Sequence, residues 1–277
     1  MNTIGTNFND PSSIVKALHN QDALLCCVSG GATKFTPQKV LIDAAIEAGV
    51  KLFFASEFAS DVPSPHYQIF PPEFVGDKIK VRHYLEEKAA ANEIAYTAWN
   101  GGPFFDMCRF FVLFTIFVIH LAKDDLYSGL NKGVAGFDIP ARKAKIFGSG
   151  NNLSCWTPVP VIATAAVNML RNSDHILDRA IFVSGVEGLT QNSILAALEA
   201  ETGDIFEVEH VDVKQIKRDA FTALERQELR QAVRGMTLNL NFNEEDSVAN
   251  SWGKVENELV GVKAVGVREA VSDYLKP

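Results

Sequence analysis

The stretch from Asp22 to Phe58 limits what this chain can fold into more than any other. Ala23-Leu24-Leu25-Cys26-Cys27-Val28 is a short apolar run that ends at a Ser29-Gly30-Gly31 corner. Gln38 to Gly49 then follows with helical periodicity, and Lys51-Leu52-Phe53-Phe54-Ala55-Ser56-Glu57-Phe58 is a second apolar run. Apolar strand, glycine corner, amphipathic helix and apolar strand in that order make a parallel β-α-β unit, because two neighbouring parallel strands need a crossover helix to join and cover them. Sheets of this kind take ligands just beyond the carboxyl ends of their strands, so Val28 to Gly31 and Ser56 to Phe58 are the first places to look for a site.

Strand and helix signals keep alternating along the rest of the chain. Residues 3 to 8 read as a short strand, and Asn9-Asp10-Pro11-Ser12-Ser13 opens a helix through His19. Thr36-Pro37 has the form of an N-cap followed by proline at the first helical position. Asp77 to Ala91 is a helix, and Ala95 to Asn100 a strand ending in Gly101-Gly102-Pro103-Phe104-Phe105-Asp106. That is a third carboxyl-end corner, built of residues that let a flat ligand approach backbone closely. Lys145 to Phe147 and Ala180 to Ser184 read as strands, Pro158 to Leu170 as a helix, and Thr190 caps a helix to Thr202 that Gly203 ends. Phe206 to Asp212 alternates as a half-exposed strand, and Lys214 to Arg234 reads as one long, charged surface helix. Residues 59 to 76, with Pro63, Pro65, Pro71 and Pro72, form an irregular loop over the carboxyl edge of the sheet.

The charge balance narrows the partners. A net charge of −8 and a pI near 5.3, without a Lys/Arg stripe, argue against nucleic acid and against an anionic membrane surface. A small molecule or another protein is the expected partner. Cys26, Cys27, Cys108 and Cys155 show neither C-x-x-C spacing nor the density of a disulfide framework, and read as reduced, buried thiols of a cytoplasmic protein. Met1 to Phe8 lacks the charged and apolar regions of a signal peptide. The histidines have no metal spacing, and neither a G-x-S-x-G elbow nor a P-loop occurs.

Within the Asp77 helix one lysine stands apart. At about 100° per residue, Val81, Tyr84, Leu85 and Ala89 share one side, Lys78 projects between Leu85 and Ala89, and Lys80 falls on the opposite face with Glu87. Lys78 is therefore expected to lay its stem against the sheet while Lys80 stands in water. A partly desolvated lysine loses its proton more easily, which is what acid/base chemistry needs; covering an apolar face is the alternative use of such a lysine. Tyr84 and Lys88 reproduce the Tyr-x-x-x-Lys spacing of short-chain dehydrogenases, but Tyr84 sits where a packing residue is wanted.

One segment breaks the pattern. Cys108 to Ser128 centres on an aromatic and β-branched run, Phe110 to Leu121, that is shorter than the ~20 residues needed to cross a bilayer. It has neither helical nor strand periodicity.

Gln38 to Lys51, Ser56-Glu57-Phe58, Asp77 to Lys88 and Gly102 to Asp106, with Gly133 to Asp138, Gly150-Asn151-Asn152 and Asn257 to Gly261, together resemble the NmrA-like and isoflavone-reductase-like family. These are atypical short-chain dehydrogenase/reductase relatives with an NAD(P)-binding Rossmann fold. The resemblance implies a doubly wound parallel α/β sheet in a single NmrA-like domain over residues 1–277. It implies an NADP(H)-binding core over about 1–107 plus 129–190 and a smaller C-terminal substrate lobe over about 191–277. It makes Lys78 the catalytic residue, acting as acid/base or polarising group, and sets Ser29, Gly30, Gly31, Ser56, Glu57, Phe58, Gly102, Pro103 and Phe104 along the cofactor. The implied function is NADP(H)-dependent reduction of a small aromatic or unsaturated substrate; the alternatives are a non-catalytic NAD(P) sensor that binds a protein partner, in cytoplasm or nucleus, and a truncated, inactive fragment.

The chain departs from the family pattern twice. It has no G-x-x-G-x-x-G turn for the cofactor pyrophosphate, and it begins near the family's third strand, so the sheet is expected to lack its N-terminal strands. Removing Cys108 to Ser128 joins Phe105-Asp106-Met107 to Gly129-Leu130-Asn131 and restores the family's continuous pattern. The expectation is a truncated gene model containing translated intron. Sequencing the transcript across this region checks it: the codons for 108–128 should be absent from the mature message.

Overall fold

The computed structural model describes residues 3–28, 30–55, 57, 61–65, 67–71, 76–106, 135–247 and 252–276. The anomalous 108–128 segment lies outside the described residues, as do Ser29, Ser56 and Phe58 of the expected site. The chain divides into two compact units, residues 1–100 with 167–181 and residues 101–166 with 182–277.

The first unit is the expected β-α-β framework. Strands β1 (Ala23–Leu25), β2 (Leu52–Ala55), β3 (Ala95–Asn100) and β6 (Arg179–Phe182) lie side by side in the order β1-β2-β3-β6. β1 pairs with β2 and β2 with β3 in parallel. Helices α1 (Pro11–Leu18), α2 (Phe35–Glu47) and α3 (Asp77–Ala90) alternate with these strands. Ile42, Ala45, Phe53, Ala55, Val81, Leu85, Ile94 and Ala98 form its core. β2 is buried at every position, as a strand covered on both faces should be. Among the described residues β1 has a strand neighbour on the β2 side only. It is also shorter than the apolar run, ending at Leu25, so Cys26 is buried but Cys27 is exposed, contrary to the reading of all four cysteines as buried.

The second unit holds a sheet of β4 (Phe137–Asp138), β5 (Lys143–Phe147) and β8 (Glu207–Val211), and a small parallel pair of β7 (Val186–Glu187) with β9 (Val265–Gly266). Its helices are α5 (Gln191–Thr202), α6 (Val213–Glu225), α7 (Leu229–Phe242) and α8 (Val267–Leu275), while α4 (Val159–Arg171) runs across the division between the units. Phe137, Ile146, Trp156, Leu189, Leu198 and Phe242 are among its core residues.

Three local expectations need correcting. Residues 3 to 8 form no strand; among the described residues they pair only through the bridge between Asn7 and Asp10 that precedes α1. The second helix starts at Phe35 with Lys34 as N-cap, which leaves Thr36 inside its first turn. The single long helix from Lys214 to Arg234 is in fact a hairpin. It breaks at Gln227, which takes φ +61°, and α7 then buries Ala232, Val233, Met236 and Leu240. Gly235 makes this possible: a Cβ there would lie 2.7 Å from the Cβ of Ala220 on α6, so a side chain would prise the two helices apart.

The Thr190 start of α5 is a complete capping box: the Thr190 hydroxyl accepts from the Ser193 N–H at 3.0 Å, and the Ser193 hydroxyl accepts from the Thr190 N–H at 2.8 Å. Thr190→Ala should therefore lower stability by about 1 kcal/mol in chemical denaturation. Thr190→Ser should recover most of the loss.

Candidate functional site

The Gly30-Gly31 corner after β1 winds into a 3₁₀ turn, Gly30–Thr33, and one side chain from α2 pins it. The Gln38 amide nitrogen donates to the Ala32 carbonyl at 2.8 Å, and its amide oxygen accepts from the Cys26 thiol at 3.4 Å. Gln38 is only 3% exposed, so both bonds are shielded from water.

At the end of β2 the Glu57 N–H turns back to donate to the Ala55 carbonyl at 2.9 Å. The Glu57 carboxylate is buried and accepts two hydrogen bonds from Arg82, from Nε at 2.9 Å and Nη2 at 2.6 Å. Asn100, at the end of β3, hydrogen-bonds it as well. Burial pushes the Glu57 carboxyl up from its ordinary value, and Arg82, Lys78 and Asn100 oppose that shift.

Lys78, one turn before Arg82 on α3, donates from Nζ to the Glu57 peptide carbonyl at 2.5 Å. Burial holds the Lys78 ammonium below the usual lysine pKa, while the charge of Glu57 pulls the other way. Lys80 projects into solvent, 3.7 Å from Asp77. Lys78 and Glu57 line a common pocket with Thr33, Gln38, Ala55 and Val81. An amine held in place, partly desolvated and easier to deprotonate than lysine in water is suited to moving a proton to or from a bound molecule.

The Tyr84 and Lys88 pair is engaged elsewhere. The Tyr84 hydroxyl donates to Asp43 Oδ1 at 2.5 Å, its ring packs at the edge of the core, and Lys88 Nζ reaches Glu93 at 3.1 Å.

The Gly102-Pro103-Phe104 corner belongs to the second unit, where Thr157 holds it. The Thr157 N–H donates to the Pro103 carbonyl and the Phe105 N–H to the Thr157 carbonyl, each at 3.1 Å. The Thr157 hydroxyl donates to the Gly101 carbonyl at 2.7 Å and accepts from the Gly185 N–H at 3.2 Å. Asp106 Oδ1 accepts from the Val159 N–H at 2.7 Å, at the first residue of α4.

Sequence reasoning missed Gln38, Arg82 and Thr157 as site-building residues. For Arg82 the signal was available: at about 100° per residue it falls about 40° from Lys78, at the edge of the apolar stripe beside Ala89, and an arginine that turns inward there needs a buried acceptor. For Thr157 there was no local signal, because its partners at Gly101 and Gly185 are distant in sequence.

A parallel sheet with crossover helices and a shaped corner at the end of each of its first three strands defines a Rossmann-type α/β protein. The chain belongs to the NmrA-like family, whose model matches residues 2–269. Among curated proteins it is similar to the oxidoreductase aprR of Aspergillus flavus, 28% identical over 213 residues, with 77% of this chain and 63% of that protein covered. It is also similar to the isoflavone reductase of Medicago sativa, 29% identical over 216 residues, covering 77% of this chain and 59% of the relative. The chain thus spans less than two thirds of the length of either relative. A crystal structure of isoflavone reductase shares the fold at a TM-score of 0.65 and 20% identity, over 98% of this chain and 81% of that one. The binary complex of leucoanthocyanidin reductase with NADPH from Vitis vinifera does so at a TM-score of 0.66 and 16% identity, over 96% and 80%.

Proposed function

We propose that this chain is an NADP(H)-dependent reductase of small aromatic or unsaturated molecules, with Lys78 as proton donor or polarising group. Family membership and the reductase names of its relatives support the reading. The observation that carries it is the Lys78 amine, held at 2.5 Å on the Glu57 carbonyl in a pocket at the carboxyl end of β2. Bound NADPH supplies the hydride.

The residues fit one end of that cofactor better than the other. Thr33, Ala55 and Val81 give the pocket an apolar lining with room for little more than a water molecule, so a nicotinamide would lie across its mouth, where Lys78 supplies a donor. The backbone N–H groups at the start of α2, where Lys34 provides no side-chain cap, offer donors to a polar part of the cofactor. The pyrophosphate end needs a glycine-rich turn that this sequence does not contain.

NADPH should accordingly bind this chain weakly, and fusing a G-x-x-G-x-x-G strand-turn-helix ahead of it should tighten binding. Calorimetric titration checks this: a dissociation constant below ~1 µM for the chain alone would contradict the role given to that turn. Substrate-dependent NADPH oxidation, tried with an isoflavone and with a simple aryl enone, then tests the activity. Cofactor binding with no turnover on any such compound, in a chain that captures a protein partner only when loaded, would favour a sensor instead.

A further inference from the structure

We propose that Arg82 is the positioning residue of this site: by gripping the Glu57 carboxylate at two points it fixes the Glu57 peptide carbonyl that orients the Lys78 amine. The proposal rests on Lys78 as the acid/base group for its catalytic consequence, but its geometry is independent of that reading.

The first support is the cost of the pair. Arg82 and Glu57 side chains are 7% and 3% exposed. A buried ion pair of this kind is often no more stable than an apolar pair of similar volume, so stability is a poor reason to build one. The second is the economy of the connection. Lys78 and Arg82 lie one turn apart on α3 and both engage Glu57, one through its main chain and one through its side chain. Glu57 is thereby restrained by Lys78 and Arg82 on α3, by Asn100 from β3 and by its own N–H to Ala55. The guanidinium is itself held from the sheet side, 5.9 Å over the ring of Tyr96.

The third support is electrostatic. Among the described residues, the charged groups around Lys78 are Glu57 at the end of β2 and Asp77 and Arg82 on α3; Lys34 ahead of α2 and Lys80 are drawn onto Asp77, at 3.6 Å and 3.7 Å. Were the Glu57 carboxylate free to reach Lys78, it would form an ammonium-carboxylate pair and hold the proton on the amine. Arg82 occupies both carboxylate oxygens, so Lys78 meets a neutral carbonyl instead. The carbonyl orients the amine without contributing a full negative charge.

Opposite-sign titration shifts test this. With lysine side chains carrying carbon-13 at Cε, the protonation midpoint of Lys78 is followed by NMR in the 277-residue chain, its signal assigned by Lys78→Arg. Arg82→Met frees the carboxylate and should move the midpoint up; Glu57→Gln removes the negative charge and should move it down. Arg82→Met/Glu57→Gln removes both charges, leaves no unpaired ion to unfold the chain, and should return the midpoint towards the wild type. In NADPH oxidation that double variant should still lose on the order of 100-fold in kcat, because the amine is no longer held in place. Cofactor KM should stay near its original value, and Arg82→Lys, with charge but no bidentate fork, should recover only part of the rate. A midpoint that is the same in Glu57→Gln and wild type, or that shifts in the same direction in both single variants, overturns the proposal. If the midpoints shift as expected while Lys78→Ala leaves turnover intact, the catalytic reading of Lys78 fails and the positioning role stands.

Discussion

Lys78→Met should reduce substrate-dependent NADPH oxidation by a factor of about 10²–10⁴, the usual contribution of a positioned acid/base group, with cofactor affinity and fold retained. Methionine keeps an unbranched stem and removes the amine that reaches the Glu57 carbonyl. The stability of the variant provides a second readout with a definite sign. Burial lowers the pKa of Lys78 in the folded chain, whereas the unfolded chain keeps the ordinary lysine value of about 10.4. Between the two, the unfolded state binds more protons, so folding stability rises with pH across that interval. Below the folded pKa the full cost of burying the ammonium is present. In Lys78→Met that rise should disappear. The net change at neutral pH should be small, since removing the buried charge is offset by leaving the Glu57 carbonyl without its donor, a loss of about 1 kcal/mol. Denaturation midpoints of both proteins from neutral to alkaline pH measure this. Equal slopes would show that Lys78 is solvated like any surface lysine.

Gly102→Ala should be the most damaging small substitution in the second unit. Gly102 takes φ +64°, a conformation that costs an L-residue roughly 1–2 kcal/mol, and a Cβ there would stand 1.8 Å from the Cys155 carbonyl oxygen. That oxygen is backbone, in the segment whose Thr157 holds the corner, so it cannot swing aside as a side-chain tip would. The total loss should reach about 3 kcal/mol or more. Gly203 supplies the control within the same unit: it ends α5 at φ +72° with nothing within 4 Å of a built Cβ, so Gly203→Ala should cost only the conformational part, about 1–2 kcal/mol. Equal losses in chemical denaturation would mean that the Cys155 contact relaxes at no cost. Because Pro103 and Phe104 follow directly, Gly102→Ala should also disturb any ligand that borders this corner.

Much of the scaffold was legible because its signals are local. Ala95 to Asn100 was recognised at both ends as a strand, and the Thr190 cap, the α5 helix and the Gly203 terminus all follow from residues within one turn of each other. The Asp77 helix, with Lys78 half-buried and Lys80 exposed, follows from periodicity of the same short range. Where the reading failed, the deciding contact was remote. Nothing between Lys214 and Arg234 announces a hairpin, since the break at Gln227 is stabilised by Gly235 closing on Ala220 across the two helices. The length of β1 also differs from the apolar run: its ladder with β2 stops at Leu25 opposite Phe54, although β2 itself continues to Ala55, and no local pattern marks that end.

The site divides along the same line. Residue order was enough to establish the class of fold, to mark the three strand-end corners, and to single out Lys78 as the lysine with a reason to lose its proton. All of these depend on neighbours within a helical turn or on the alternation of short segments. What Lys78 touches required the folded chain. Glu57 lies 21 residues before Lys78, 25 before Arg82 and at the end of another element, so only the packing of α3 beside β2 brings the amine, the carbonyl, the carboxylate and the guanidinium together. Glu57 belongs to the expected cofactor-lining set, but its pairing with Arg82 is not legible in the sequence, because an ion pair is specified by burial and distance in three dimensions, and neither is written in the spacing of residues along a chain.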